Sequence, residues 1–85
     1  MPSRYLARVY VSLKSGYSDP EGETTARALR GLGYGVEEVR VSKVYEVVFE
    51  AEDRREAGEL VEEMCRRLLT NPTKDDYAYE LREME

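Results

Sequence analysis

Two apolar patterns with different periods constrain the fold of this chain more than any other feature of its sequence. From Tyr5 to Leu13 every second residue is apolar, and this alternation is typical of a strand with one buried face. Farther along, apolar residues recur at the spacing of one helical face: Ala57, Leu60, Val61, Met64 and Leu68. Asp53 and Glu56 form a capping-box pattern where this helix would begin. The chain therefore contains a half-buried strand and an amphipathic helix.

Another helix is predicted from Pro20 to about Leu32. Asp19 suits its N-cap, because the carboxylate can accept hydrogen bonds from free backbone N–H groups, and Pro20 suits the first helical position. Gly33 can end the helix in the left-handed conformation.

Three further strands complete the predicted order of elements. Strands at 36–42 and 44–51 are joined so tightly around Ser42 and Lys43 that an antiparallel hairpin is the simplest arrangement. A short last strand, 77–81, alternates after the second helix has ended. The order strand, helix, strand, strand, helix, strand predicts an α+β fold, a ferredoxin-like βαββαβ sandwich in which two helices cover one face of an antiparallel sheet. Residues 1–85 are expected to form a single domain.

The uncovered face of this sheet is too apolar for full exposure to water. It would present four apolar residues, which are Leu6, Tyr10, Val44 and Val48. Scattered surface hydrophobic residues are normal and offer one explanation. We favour the other, in which the chain forms a homodimer or higher homo-oligomer through this face, because a chain of 85 residues buries only about 60 to 65% of its unfolded surface.

Composition excludes several classes of function. The 18 acidic and 13 basic residues are interspersed and give a net charge of −5, whereas nucleic-acid binding needs basic residues clustered on one face. No apolar run approaches the roughly 18 residues of a membrane span. We therefore expect no nucleic-acid and no membrane partner. The single cysteine cannot form an internal disulfide, which favours a reducing, cytoplasmic location.

Catalytic and metal-binding patterns are not found either. The chain has no histidine, which removes Ser-His-Asp and Cys-His arrangements and the commonest metal ligand. Cys65 has no base in its sequence neighbourhood and is predicted to be structural. Adjacent carboxylates occur in the pairs Glu62-Glu63 and Asp75-Asp76. The two side chains of a pair point in different directions, so we interpret them as solvated surface groups and not as a shared proton or metal site. We predict no catalytic, cofactor-binding or metal-binding residue.

Four short segments of this chain match landmarks that occur in the same order in one protein family, and together they carry a resemblance to it. We call them the recurring segments. They are Ser-Asp-Pro-Glu-Gly at 18–22, Leu-Gly-Tyr at 32–34, Val-Arg-Val-Ser-Lys at 39–43, and Met64-Cys65 leading into Leu-Leu-Thr-Asn-Pro at 68–72. In this combination the chain resembles the PurS family, the small subunit of phosphoribosylformylglycinamidine (FGAM) synthase. Ser42 stands where the family usually has glycine. The resemblance indicates candidates for contact with partner subunits, namely Asp19, Gly22, Arg40, Lys43, Asn71 and Pro72.

The resemblance implies a non-catalytic role within a three-component ligase of purine (IMP) biosynthesis. A PurQ-like glutaminase subunit would release ammonia from glutamine, and a PurL-like synthetase subunit would use ATP and Mg to convert FGAR to FGAM with it. Nucleotide binding would belong to the synthetase, and this chain would bridge the two. The alternative from a different class is a stand-alone ferredoxin-like regulatory module that binds a small metabolite at a dimer interface.

Overall fold

The computed structural model describes all 85 residues. Its elements are β1 (Ser3–Leu13), α1 (Pro20–Gly31), β2 (Lys43–Ala51), α2 (Arg54–Met64), a π-helical turn (Cys65–Leu69) and β3 (Asp75–Met84). The three strands form an antiparallel sheet in the order β2, β1, β3. The predicted α+β class, with an antiparallel sheet and two helices, is confirmed. Neither helix is long and apolar enough to cross a membrane.

The core lies between α2 and one face of the sheet. In β1 the alternate residues Tyr5, Ala7, Val9 and Val11 are buried, as the alternation predicts. Val9 packs with Val61 and Cys65 of α2 and the π-helical turn, and all three side chains are fully buried. Central position in the sheet explains this burial, because β1 has a neighbour on each side and α2 above it.

The strand predicted over 36–42 is wrong. This segment has no regular secondary structure and forms no backbone-to-backbone hydrogen bond, although it leads directly into β2. A tight hairpin at Ser42 would usually need a residue with positive φ, and only Gly16 and Gly33 have one. The chain therefore continues into β2 without a turn or bend, and the sheet has three strands instead of four.

The expectation that both helices cover the sheet is also wrong for this single chain. α1 makes almost no contact with the strands and packs on the segment that follows it, residues 32–42. We call residues 14–42 the arm. Because 36–42 does not fold back along β2, it carries α1 away from the sheet. The molecule is consequently 55 × 29 × 13 Å, with a radius of gyration of 16.8 Å against about 12 Å for a compact chain of this length.

The π-helical turn changes which leucine enters the core. The helical pattern places Leu68 on the buried face of the second helix, but its side chain is 84% exposed and that prediction is wrong. Leu69 packs against the core instead. The Thr70 N–H donates to the Cys65 carbonyl at 3.0 Å, a five-residue spacing that rotates the following side chains relative to an α-helix.

Candidate functional site

Asp19 connects the start of α1 to the last part of the arm, residues 36–42, through hydrogen bonds. Its Oδ1 accepts a hydrogen bond from the Gly22 N–H at 2.9 Å, as expected for an N-cap. Its Oδ2 accepts from the Val41 N–H at 2.8 Å, although 22 residues separate the two. These backbone donors, first Val41 and then Gly22, lower the pKa of the Asp19 carboxyl below its ordinary value. One side chain therefore joins two of the recurring segments.

Gly22 is required by a close approach of the backbone. A Cβ atom at this position would lie 2.2 Å from the carbonyl oxygen of Val39 and 2.8 Å from Oδ2 of Asp19. No side chain fits there, so residue 22 allows the segment around Val39 to lie directly against the first turn of α1.

Arg40 and the turn at 71–75 join the arm to the sheet. The Arg40 guanidinium donates to the carbonyl oxygen of Leu13, the last residue of β1, at 2.6 Å. Next to it, the Lys14 N–H donates to the carbonyl oxygen of Lys74 at 2.7 Å. Asn71 shapes the turn, because its Oδ1 accepts from the Thr73 N–H at 2.9 Å. Three of the four recurring segments, those at 18–22, 39–43 and 68–72, thus converge at one end of the sheet, whereas the segment 32–34 lies at the other end of α1.

An open cleft of about 340 Å³ lies at this convergence, which we call the junction cleft. Its lining includes Asp19 and Pro20 from α1, Ser42 and Lys43 from the start of β2, and Lys74 and Asp75 from the turn. Acidic and basic groups are mixed along its walls. The candidate residues Asp19 and Lys43 therefore meet there, while Asn71 supports the turn behind Lys74 and Asp75.

The predicted partner-contact residues divide into two groups. Asp19, Gly22, Arg40 and Asn71 each have a contact within the chain that shapes the junction. Lys43 is different: its side chain is exposed and its ammonium group forms neither a hydrogen bond nor an ion pair. Pro72 is exposed in the turn. Contact with a partner stays a prediction for all six residues, and Lys43 is the charged one among them whose side chain has no partner within the chain.

Sequence reasoning missed Lys74 as a member of this region, which also includes Tyr17. The Tyr17 hydroxyl donates to the carbonyl oxygen of Thr73 at 3.3 Å, which ties the beginning of the arm to the turn. Lys74 lines the cleft beside Lys43, and its ammonium group also lacks an ion-pair partner. Lys74 has no distinguishing pattern in the sequence, because 31 positions separate it from Lys43 and only the fold brings the two residues together.

The surroundings of Cys65 match a structural thiol. Its side chain is fully buried in the core, and this burial, followed by the nearby Glu62 carboxylate, raises the pKa of the thiol. Glu62 accepts a hydrogen bond from the Tyr77 hydroxyl at 2.5 Å, which raises the pKa of that tyrosine. No group of three or more potential metal-ligating side chains occurs in the chain.

We expect Cys65→Ala to leave the activity of the assembled enzyme nearly unchanged, because the buried thiol has no base to activate it. The loss of one buried sulfur should lower the free energy of unfolding by about 1 kcal/mol. Assays of glutamine-dependent turnover and thermal unfolding, with the parent as control, check both values. A folded variant that assembles but has no glutamine-dependent turnover would assign a catalytic role to the thiol.

The four residues predicted for self-association lie on one face of the sheet, opposite α2. Leu6 pairs with Val48 across β1 and β2, and Tyr10 pairs with Val44. Val44 and Val48 are 52% and 51% exposed. Between these two apolar pairs the Arg8 guanidinium donates to Glu46, at 3.0 Å from Nε and 2.6 Å from Nη2. The predicted patch therefore exists, and association through it stays a prediction.

The comparisons with known proteins agree on one family. The family model for PurS, described as phosphoribosylformylglycinamidine (FGAM) synthase, matches residues 6–83. The chain belongs to the PurS family. The PurS subunit of FGAM synthase from Archaeoglobus fulgidus is 46% identical over 79 residues, covering 92% of this chain and 99% of the relative. The Bacillus subtilis PurS subunit is 42% identical over 81 residues, covering 94% and 95%.

Solved structures of PurS proteins share the fold. Thermus thermophilus PurS superposes with a TM-score of 0.86 at 46% identity, covering 96% of this chain and 99% of that one. A chain of the PurLQS structure from Thermotoga maritima has a TM-score of 0.80 at 35% identity, covering 95% and 98%. As a PurS-family member, the protein is a subunit of FGAM synthase, a ligase complex of purine biosynthesis.

Proposed function

We propose that this subunit catalyses no step itself and bridges a PurQ-like glutaminase subunit and a PurL-like synthetase subunit. The glutaminase releases ammonia from glutamine. The synthetase uses ATP and Mg²⁺ to activate the amide of FGAR, whose oxygen is replaced by nitrogen to form FGAM. Ammonia that escapes into water is protonated and lost as a nucleophile, so holding the two active sites in register has a chemical purpose.

The observation that carries this proposal is the convergence of three of the four recurring segments on a junction without catalytic groups. Asp19, Gly22 and Arg40 each contact backbone atoms of the same chain, so these residues support the junction itself. The junction cleft is open and offers the exposed ammonium groups of Lys43 and Lys74 to a carboxylate on another protein. Such an open, charged surface suits docking, whereas a metabolite site would be more enclosed and more apolar.

The composition of a related assembly supports the choice of partners. The similar Thermotoga maritima chain comes from a structure described as PurLQS. We extend this to the present chain and assign it synthetase and glutaminase partners, with ATP and Mg²⁺ held by the synthetase and none by this subunit. A cytoplasmic location belongs to the same proposal, since the lone thiol of Cys65 requires no oxidising compartment.

Co-purification tests the proposed assembly. Tagged chain, mixed with the synthetase and glutaminase subunits of the same organism in the presence of ATP, Mg²⁺ and glutamine, should retain both. Lys43→Ala should weaken this retention several-fold, because it removes a charge that has no partner within the chain. Arg55→Ala is the matched control, since it removes an exposed cation from α2 at a distance from the cleft. Retention of neither subunit by the folded parent would contradict the bridge.

A further inference from the structure

β3 has a bare edge on the side that faces away from β1. The strand is 10 residues long, lies at one end of the sheet and pairs with β1 alone. Its register runs without a bulge from Arg4 opposite Met84 to Leu13 opposite Asp75, and the strand contains neither proline nor lysine. Proteins usually protect an exposed edge with a short strand, a bulge, a proline or a lysine. Because β3 has none of these, another extended segment can add to its edge.

Two hydrogen bonds show which backbone groups of β3 point outward. The Lys14 N–H donates to the carbonyl oxygen of Lys74 at 2.7 Å, so residue 74, just before the strand, faces β1. The Arg54 guanidinium donates to the carbonyl oxygen of Leu81 at 2.8 Å, so residue 81 faces away from β1. Successive residues of an antiparallel strand direct their N–H and C=O groups to opposite sides. The odd-numbered residues of β3 therefore point these groups toward the bare edge.

Both ends of this edge are closed by the chain itself. At one end Arg54 occupies the carbonyl oxygen of Leu81, and at the other end the turn 71–75 binds its own backbone groups. Between them the outward N–H and C=O groups of Tyr77 and Tyr79 are bound by no loop and no side chain. We call the edge at these two tyrosines the edge window. Strand addition is confined to it.

The surroundings of the edge window are strongly acidic. Residues 75–85 contain five acidic residues and one basic residue, which gives this segment a charge of −4, whereas the whole chain has −5. Glu62 adds a carboxylate beside Tyr77. Like charges on directly opposed strands are destabilising and opposite charges are stabilising. A second copy of this edge would therefore be repelled, and a basic strand fits.

The two faces of β3 favour different side chains in an added strand. Tyr77 and Tyr79 are half-buried and pack against the core on the side of α2. Asp76, Ala78 and Glu80 are exposed on the other face. Residues that lie opposite each other on neighbouring strands share a face. A segment in which apolar and basic residues alternate would therefore extend the apolar layer and place its cations beside the carboxylates.

We propose that the edge window binds an extended segment of a partner subunit in which apolar residues alternate with lysine or arginine. The segment adds to the sheet as a strand beside β3 and forms backbone hydrogen bonds with Tyr77 and Tyr79, while Arg54 ends the addition at Leu81. Backbone bonds supply affinity in such strand addition, and the flanking charges select a basic segment. The inference rests on the proposed bridging role, because it assigns the segment to the synthetase or the glutaminase.

Residue-resolved amide hydrogen exchange tests the strand addition. In the chain without partners, the amides of Tyr77 and Tyr79 should exchange at least about ten-fold faster than those of Ala78 and Glu80, which face β1. In mixtures with the synthetase, the glutaminase or both, exchange at the two tyrosines should slow by about ten-fold or more. Ala78 and Glu80 are the internal control and should stay slow throughout. The mixture that shows the change identifies the subunit that supplies the segment.

The outcomes separate this inference from the bridging role. Unchanged exchange at Tyr77 and Tyr79 in an assembled complex would overturn the strand addition and leave the bridge intact. Slow exchange at both residues before any partner is added would also overturn it, because the edge would then be occupied within the free subunit. A folded chain that assembles with neither subunit would contradict the bridge and the strand addition together.

Two substitutions of opposite charge at Ala78 test the preference for a basic segment. Ala78 is exposed on the face where the cations of the added strand would lie. Ala78→Lys should weaken retention of the partner subunit several-fold, because it repels those cations. Ala78→Glu is the matched control, since it adds a side chain of similar length at the same position, and it should retain the partner at least as well as the parent. Equal retention by the two folded variants would show that the segment is not basic.

Discussion

Leaving this chain out of a reconstituted mixture of the synthetase and glutaminase subunits should lower glutamine-dependent FGAM formation by about 100-fold or more. The ammonia-dependent reaction should proceed at nearly its full rate when ammonium salt is supplied. Coupling two sites by position matters only when the nucleophile must travel between them, and added ammonia removes that need. Parallel assays of FGAM formation with glutamine and with ammonium chloride measure the two rates.

The same assay separates a bridge from a contributor to catalysis. The isolated chain should hydrolyse neither glutamine nor ATP, since it has no histidine and its only thiol is buried. Adding Lys43→Ala in place of the parent should restore less glutamine-dependent turnover, while Arg55→Ala restores all of it. An equal collapse of the ammonia-dependent rate on omission would mean that this chain completes the synthetase active site, and the bridging mechanism would be wrong.

Gly22→Ala should be the most destabilising small substitution in the arm. The added methyl group would lie 2.2 Å from the Val39 carbonyl oxygen, a backbone atom held in place because Asp19 binds the nearby Val41 N–H. Overpacking of this kind costs about 1–3 kcal/mol, and the gain in helix propensity offsets at most about 1 kcal/mol of it. We expect a midpoint of thermal unfolding roughly 5–10 °C below the parent at equal protein concentration.

Gly31→Ala is the matched control, because it introduces the same methyl group near the other end of α1. No heavy atom lies within 4 Å of that position, and its φ is not positive. Ala is the better helix former, so this variant should be more stable by about 0.5 kcal/mol. Scanning calorimetry should show a lower unfolding midpoint than the parent for Gly22→Ala and a higher one for Gly31→Ala. Equal unfolding midpoints for both variants would show that Val39 yields to the methyl group and that the close approach does not constrain the arm.

Features with a local cause were predictable from the sequence. α1 begins at Pro20 with Asp19 as its cap, and α2 begins after Asp53, whose carboxylate accepts from the Glu56 N–H at 2.8 Å. The buried face of β1 follows from its alternation. These predictions hold because capping and periodicity depend on neighbouring residues, whose side-chain chemistry is visible in the sequence.

The sequence predicted which residues belong to the candidate site but not what each residue does there. The recurring segments identify Asp19, Gly22, Arg40 and Asn71, and the fold brings these segments to one end of the sheet. Their hydrogen bonds to backbone atoms at Val41, Leu13 and Thr73 depend on contacts between positions far apart in the chain. Sequence patterns carry no distances between such positions, so internal support and partner contact could not be distinguished before the structure.

The sequence by itself determined the existence of both helices, three of the strands and the buried face of β1, because each of these rests on local periodicity and capping. Only the tertiary structure decided the direction of the chain after α1. It also decided which side chains face the core after Met64. Residues 38–42 alternate like a strand, yet Ser42 continues straight into β2, and a strand without a neighbouring strand forms no ladder. Leu68 follows the helical pattern, yet the π-helical turn places Leu69 in the core. Both outcomes depend on how distant elements compete for the same packing space, which no local pattern records.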